Sequence, residues 1–219
     1  MGIKVCVANE ADMDRLFEIT SLAFERNEPV WDAMYPSHWT AEGRKHGAER
    51  LRDVQKSDPH ATFLKAVDDE TGEIAGMAKW LIFQSAFPDS ITLDAKYWPT
   101  EADYKYYQDM VPIFLSRRNE ALKRTNGNLV SLDLLTVDPV HQNKGVGQAL
   151  VEWGTAKADS LDLEAVVESS VFGKRLYEKN GFVFKEQVEV AVPGEIDRAP
   201  GAFAWLERPK RSSKSSVWA

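Results

Sequence analysis

The sequence is poor in cysteine and contains no long apolar run. Because Cys6 is its single cysteine, an intrachain disulfide is excluded. No stretch reaches the roughly 20 apolar residues that a membrane-spanning helix needs, and the N-terminus lacks the apolar segment of a signal peptide. We therefore expect a cytoplasmic protein that has no membrane partner, and no metal site is predicted.

The sequence also lacks an excess of positive charge. Its formal net charge is -7, whereas a nucleic-acid-binding surface needs clustered Lys and Arg side chains. Nucleic acid is therefore not an expected partner. The chain has 219 residues, of which 43% are hydrophobic and 28% are charged. This composition and length are typical of one soluble globular domain, with or without an insertion.

The spacing of apolar residues predicts strands and helices along most of the chain. Strands are predicted at residues 4–8, 61–67, 74–83, 129–137, 165–169, 182–192 and 202–207. Helices are predicted after Asn9 or Asp12, at residues 41–54, at 101–124, from about 146 to 161, and at 171–180.

Several residues refine this assignment. Pro112 predicts either a kink in the helix at residues 101–124 or two separate helices. Gly76 predicts a bulge or a close backbone contact within its strand. Residues 25–40 are predicted to form an irregular loop. The first helix is expected to present one apolar face that contains Leu16, Ile19, Leu22 and Ala23.

Residues 129–147 combine a strand, a turn and a glycine-flanked helix start. The apolar strand ends at Asp138-Pro139, because proline cannot donate a hydrogen bond to a neighbouring strand. Gln142 is followed by Gly145 and Gly147, after which apolar residues repeat at helical spacing. A helix start offers unpaired N–H groups and the positive end of a dipole, and glycine lets an anion approach the backbone. This stretch therefore predicts an anion site.

Two common phosphate-binding motifs do not fit this stretch. A dinucleotide fingerprint needs a third glycine where Leu150 stands, and a Walker loop needs Lys followed by Ser or Thr after its last glycine. The remaining pattern, Gln-x-x-Gly-x-Gly after Val-Asp-Pro, resembles the acyl-CoA loop of the GCN5-related N-acetyltransferases (GNAT). The alternative is an ordinary strand-to-helix turn whose glycines only relieve crowding.

A second pattern strengthens the resemblance. Leu176-Tyr177 and Gly181-Phe182, with three residues between them, match the second GNAT signature, although asparagine is common in the family where Ser170 stands. The resemblance implies an α/β (α+β) GNAT fold. This fold has a central mixed, mostly antiparallel twisted sheet of six to seven strands, which is splayed at the acyl-CoA site and flanked by helices. It also implies one domain at residues 1–209 with a helical insertion around 85–126. The Lys-, Arg- and Ser-rich residues 210–219 are expected to form a solvated, disordered tail.

The resemblance further implies transfer of an acetyl group from acetyl-CoA to a primary amine, by direct attack in a ternary complex. The N–H groups of residues 143–148 would hold the pyrophosphate, and the strand backbone at 135–137 would pair with the pantetheine arm. The Val137 N–H would polarise the thioester oxygen, and Tyr177 would protonate the departing sulfur. The residues expected to contact the cofactor are Leu135, Thr136, Val137, Gln142, Asn143, Lys144, Gly145, Val146, Gly147, Gln148, Ser170, Phe172, Gly173 and Tyr177.

The general base is left open between Asp133 and Glu168. Alternation predicts that Asp133 shares a strand face with Ser131, Leu135 and Val137. Asp133 would act as a base if partial burial raised its pKa or if water relayed the proton. Otherwise it would bind the substrate cation or hold a neighbouring loop. Tyr177 could likewise be a half-buried core residue instead of an acid.

The acceptor is expected to be a small-molecule amine, cationic or aromatic, bound by Trp31, Tyr35, Phe83 and Asp133. The aromatic side chains could equally do no more than cover the core. A peptide N-terminus or a lysine side chain is the alternative acceptor. A non-catalytic acyl-CoA sensor is the alternative from another functional class, and the protein is expected to be a monomer or a homodimer.

Overall fold

The computed structural model describes residues 2–88, 95–195 and 197–212. Seven strands form one sheet in the order β1-β2-β3-β4-β5-β7-β6. Only β4 and β5 are parallel neighbours, and the other pairs are antiparallel. The predicted mixed, mostly antiparallel sheet is therefore confirmed. The strands are β1 (Ile3–Val7), β2 (Ala61–Asp68), β3 (Ile74–Phe83), β4 (Leu129–Val137), β5 (Glu164–Ser169), β6 (Val183–Val190) and β7 (Gly201–Arg208).

Seven α-helices lie in the described part of the chain. They are α1 (Met13–Phe24), α2 (Pro29–Met34), α3 (Ala41–Ser57), α4 (Glu101–Phe114), α5 (Ser116–Arg124), α6 (Val146–Leu161) and α7 (Lys174–Lys179). The helical segment that contains Pro112 is divided at Leu115 into α4 and α5, so the two-helix alternative is confirmed. The predicted tail at residues 210–219 lies outside the described residues from 213 onwards.

Three predictions about local structure are wrong. Residues 25–40 contain α2, which begins with Pro29 in its first turn, where the missing proline N–H costs nothing. The side chain of Leu22 is on the exposed side of α1 and not on its apolar face. The helix predicted at residues 171–180 begins only at Lys174, because residues 171–173 form a turn.

The helices cover both faces of the sheet and create separate core clusters. On one face, α6 packs against β3 and β4 through a cluster that includes Trp80, Val146 and Leu150. On the other face, α1, α3, α4 and α5 contribute side chains to two further clusters. Gly76 allows α6 to approach β3 closely, since a Cβ there would lie 2.8 Å from Val146 Cγ1. This close contact, which the sequence predicted, positions the start of α6 beside the end of β4.

Candidate active site

The two central strands separate at one end of the sheet. β4 pairs with β3 along its whole length, but it pairs with β5 only from Leu129 to Leu132. Beyond Leu132, β5 continues with β7 and leaves the adjacent edge of β4 without a strand partner. The predicted splay is therefore confirmed, and the backbone of Leu135, Thr136 and Val137 lies on the free edge.

The loop between β4 and α6, with the first turn of α6, contains a row of consecutive backbone N–H groups. Within the described chain, none of the N–H groups of residues 143–148, here called the amide row, donates a hydrogen bond. The first backbone bond at the start of α6 runs from Ala149 N to Gly145 O, at 3.0 Å. Gly145 has a φ of 88° and open space where a Cβ would stand. An anion can therefore approach the helix start closely.

The side chains of two residues predicted to contact the cofactor are engaged within the protein, which leaves their backbone for such a contact. The Gln148 amide exchanges two 3.0 Å hydrogen bonds with the Asn180 amide, which also donates to Leu176 O. Val146 is buried in the core, whereas Gln142, Asn143 and Lys144 are exposed in the loop. The Gln148–Asn180 pair ties α6 to α7 and so joins the two motifs. Sequence analysis missed Asn180, although it lies inside the second motif.

Tyr177 lies within α7 and is almost completely buried. Its side chain packs in the core beside α6, and its ring meets that of Phe182 edge to face at 5.9 Å. Burial raises the pKa of the Tyr177 phenol well above its ordinary value, because the charged form is disfavoured away from water. The phenol therefore keeps its proton at neutral pH, which is the state that a general acid needs.

The other residues predicted to bind the cofactor near Tyr177 differ in exposure. Ser170 is half-buried, and the Phe172 side chain is 88% exposed. Gly173 lies against the tyrosine ring, since a Cβ at this position would be 2.8 Å from Tyr177 Cε2. A larger residue at position 173 would therefore have to displace the phenol ring.

The prediction that Asp133 shares a strand face with Leu135 and Val137 is wrong, because the strand contains a β-bulge. Leu134 pairs with Lys79 and Leu132 pairs with Trp80, which leaves Asp133 as the extra residue. The bulge interrupts the alternation of side chains. Leu135 and Val137 pack beside α6, whereas the Asp133 carboxylate lies 2.9 Å from Lys79 Nζ, on the opposite face of the sheet.

Asp133 and Glu168 belong to one cluster, here called the charge network, with Lys79 and Arg118. The side chains of Lys79 and Asp133 are 15% and 23% exposed. Arg118 Nη1 lies 2.5 Å from Asp133 Oδ1. Arg118 also donates to both oxygens of Glu168, from Nη2 at 2.6 Å and from Nε at 3.1 Å. The side chains of Arg118 and Glu168 are only 5% and 1% exposed. The structure thus brings both candidate bases together, but it joins them through an arginine.

The charge network determines the protonation of Asp133. Burial alone would raise the pKa of Asp133, but the charges of Lys79 and Arg118 and their hydrogen bonds outweigh it and hold that pKa well below its ordinary value. Burial also disfavours the charged form of Arg118, but the carboxylates of Glu168 and Asp133 raise its pKa above the ordinary value. Burial therefore does not make Asp133 a stronger base, so the first of the two conditions for that role, a raised pKa, is not met.

Sequence analysis missed Lys79 and Arg118. A signal for Lys79 was available, because it is the single charged residue in the otherwise apolar strand β3, as Asp133 is in β4. Opposite charges in the middle of neighbouring apolar strands indicate a buried pair. Arg118 gives no comparable signal, since it lies on a short helix among several other charged residues.

Two aromatic residues predicted to bind substrate lie in the core. Phe83 is 1% exposed, and its ring packs 4.8 Å from that of His60. Trp31 is 8% exposed and stacks on Tyr35 at 4.2 Å. Phe83 therefore does not line an open pocket, and of the three aromatic residues only Tyr35 is half-buried. Aromatic content alone could not distinguish a pocket wall from a core contact.

Among the helices of the described residues, none combines the length and apolar character that crossing a bilayer requires. Residues 115–184, which include both motifs, match the family model described as "Acetyltransferase (GNAT) domain". No curated protein matches the chain.

Several solved structures share the fold. One, described as a histone acetyltransferase and related acetyltransferase from Corynebacterium glutamicum, is 21% identical, has a TM-score of 0.59 and covers 96% of this chain and 97% of its own. The mosquito arylalkylamine N-acetyltransferase like 5b is 12% identical, has a TM-score of 0.64 and covers 94% and 99%. A phosphinothricin acetyltransferase from Sinorhizobium meliloti, in complex with acetyl-CoA, is 16% identical, has a TM-score of 0.58 and covers 96% and 89%.

Proposed function

We propose that this chain, whose residues 115–184 match a GNAT acetyltransferase domain model, transfers an acetyl group from acetyl-CoA to the primary amine of a small molecule. The observation that carries this proposal is the amide row at the start of α6, beside the free edge of β4. The mosquito and Sinorhizobium meliloti structures are named for arylalkylamines and phosphinothricin, which supports a small amine as acceptor.

The residues at this site fit acetyl-CoA. The amide row would hold the pyrophosphate, with the exposed Lys144 side chain as a counter-charge. The free edge at Leu135–Val137 would pair with the amides of the pantetheine arm. When bound, acetyl-CoA supplies an activated thioester. The Val137 N–H would stabilise negative charge on the thioester oxygen, and Tyr177 would give its proton to the sulfur.

The two carboxylates of the charge network suit a different role from that of a base. Asp133 contacts two cations and has a lowered pKa, and Glu168 accepts two hydrogen bonds from Arg118. A weakly basic carboxylate is a poor acceptor for the proton of an alkylammonium ion. We therefore propose that Asp133 positions the end of β4 and that water accepts the proton of the amine.

The pH–rate profile of Asp133→Asn tests this assignment. Because Asp133 is not the base, we expect kcat/KM of this variant to follow the same pH dependence as the wild type, with any loss constant across pH. A defect that is largest at low pH and shrinks as free amine becomes abundant would instead establish Asp133 as the base.

A thiol-release screen tests the proposed function itself. The purified protein is incubated with acetyl-CoA and one acceptor at a time. The acceptors are small amines, amino acids, peptides and lysine-containing peptides. We expect the highest kcat/KM with a small amine and stoichiometric formation of its N-acetyl product by mass spectrometry. Higher kcat/KM with peptides would show that the acceptor is a protein. Cofactor binding without thiol release from any acceptor would indicate a sensor.

Replacing Tyr177 by phenylalanine tests the general acid. Tyr177→Phe keeps the buried ring and its contact with Phe182, and removes only the hydroxyl group. We expect kcat to fall by about 10²-fold, because the departing sulfur loses its proton donor. The melting temperature and the Kd for acetyl-CoA should stay close to wild type. Unchanged kcat across pH would leave Tyr177 with a packing role only.

A further inference from the structure

Arg50 on α3 is a buried arginine that has no carboxylate partner in the part of the chain that the structure describes. Arg50 is 6% exposed, and its Nε atom makes no hydrogen bond. The other buried arginines differ in this respect. Arg118 binds Asp133 and Glu168, and Arg208 binds both oxygens of Asp159 at 2.7 and 2.8 Å. Arg50 is therefore an exception that needs a physical explanation.

Aromatic rings cover the guanidinium of Arg50. The Arg50 Cζ atom lies 3.9 Å from the ring centre of Tyr35, 5.2 Å from that of Tyr97 and 5.3 Å from that of Trp98. These three rings are here called the aromatic cage. Cation–π contacts compensate part of the cost of burying the charge. The rings supply no oxygen that could accept a hydrogen bond from Nε.

The hydrogen bonds of Arg50 leave one edge of the guanidinium available. Nη1 donates to the Met34 carbonyl at 2.6 Å, which uses one side of the planar group. Nε, on the other side, is buried and has no partner. The edge that carries Nε and Nη2 has the geometry that binds a carboxylate through two parallel hydrogen bonds. A buried cation that lacks a counter-charge is costly, and an anionic ligand group would remove that cost.

The aromatic cage lies on the face of the sheet that is opposite to α6. Tyr35 packs with Trp31 against the same core cluster as Leu134, the β4 residue that follows Asp133. Trp98 is tied to α2, because its Nε1 donates to the Ala33 carbonyl at 2.9 Å. The cage is therefore on the face of β4 that carries the charge network, opposite to the face covered by α6.

We propose that Arg50 binds a carboxylate of the acceptor, so that the preferred substrate is a small amine that also carries a carboxylate group. This inference rests on the proposed function and narrows its substrate class. The aromatic cage would hold the guanidinium plane, while the Nε edge would select the anionic group. Amines without a carboxylate would leave the buried charge without a partner and would bind more weakly.

Matched acceptors that differ only by the carboxylate test this proposal. Tyrosine and tyramine, phenylalanine and phenethylamine, and arginine and agmatine are compared by kcat/KM. In the wild type we expect the carboxylate-bearing member of the preferred pair to have a kcat/KM about 10- to 100-fold higher. Arg50→Lys keeps the charge but loses the planar fork, and it should raise KM for that member about 10-fold or more, with little change for its partner.

Arg52→Lys is the matched control, since Arg52 lies on the same helix but pairs with Asp14 outside the aromatic cage. This variant should keep the wild-type preference. The proposal is overturned if the wild type prefers the amine without the carboxylate. This test uses the wild-type protein alone and does not depend on the folding of a variant. It is also overturned if Arg50→Lys, with a wild-type melting temperature, changes both members equally. Both results leave amine acetylation intact, whereas absence of acetylation with every acceptor would instead contradict the proposed function.

Discussion

Replacing Gly145 by aspartate is expected to weaken acetyl-CoA binding about 100-fold more than replacing it by asparagine. Both side chains have the same shape, and both tolerate the left-handed backbone that Gly145 adopts at a φ of 88°. Only aspartate adds a negative charge beside the amide row. Two like charges about 6 Å apart repel by roughly 3 kcal/mol at an effective dielectric constant near 20, which corresponds to about 100-fold in Kd. Calorimetry with acetyl-CoA measures the difference.

Two further measurements separate charge from backbone strain in this pair. The melting temperatures of Gly145→Asp and Gly145→Asn should agree closely, because both substitutions impose the same strain. The ratio of their Kd values should decrease as the salt concentration rises, since the added charge is in the exposed loop. Equal Kd values at low salt would place the pyrophosphate elsewhere and would leave the amide row without a ligand.

Replacing Arg118 by methionine is expected to lower the free energy of unfolding by about 3–5 kcal/mol. Glu168 would then remain in the core, with a side chain only 1% exposed and without its arginine. Asp133 would still keep Lys79 as a partner. The loss arises because a buried carboxylate without a counter-charge has neither water nor a cation to stabilise it. Urea denaturation followed by circular dichroism measures the change.

Arg117 provides a matched control, because it is the neighbouring arginine on α5 but pairs at the surface with Glu120 and Glu186. Arg117→Met should cost no more than about 1 kcal/mol. Adding Glu168→Gln to Arg118→Met should recover part of the lost stability, since it removes the unpaired charge. If Arg118→Met is no more destabilising than Arg117→Met, Arg118 and Glu168 are not the buried pair described above.

The β4–α6 loop could be predicted because its structure depends on residues that are close together in the chain. Proline stops β4, glycine permits the left-handed residue before α6, and a helix start exposes its first N–H groups. Each of these effects acts within a few residues. The second motif is equally local, since Tyr177 and Gly181 belong to one short helix and the turn that ends it.

The role of Asp133 could not be predicted in the same way. Alternation assigns a side chain to one face only while the strand remains regular, and the bulge opposite Lys79 depends on pairing with β3. The pKa of Asp133 depends on Lys79 and Arg118, which reach it from another strand and from a helix. Lys79 is marked in the sequence as the one charge of an apolar strand, but its pairing with Asp133, and the approach of Arg118, depend on the folded chain.

The sequence by itself determined the order of the strands, the β4–α6 loop and the place of Tyr177 in the second motif, because short-range backbone rules govern them. Tertiary structure alone decided which charged and aromatic side chains meet. It buried Phe83 and Trp31, joined Asp133 to Glu168 through Arg118, and enclosed Arg50 in the aromatic cage. The physical reason is that burial and charge pairing depend on distances between elements that are far apart in the chain, and such distances leave no periodic signal in the sequence.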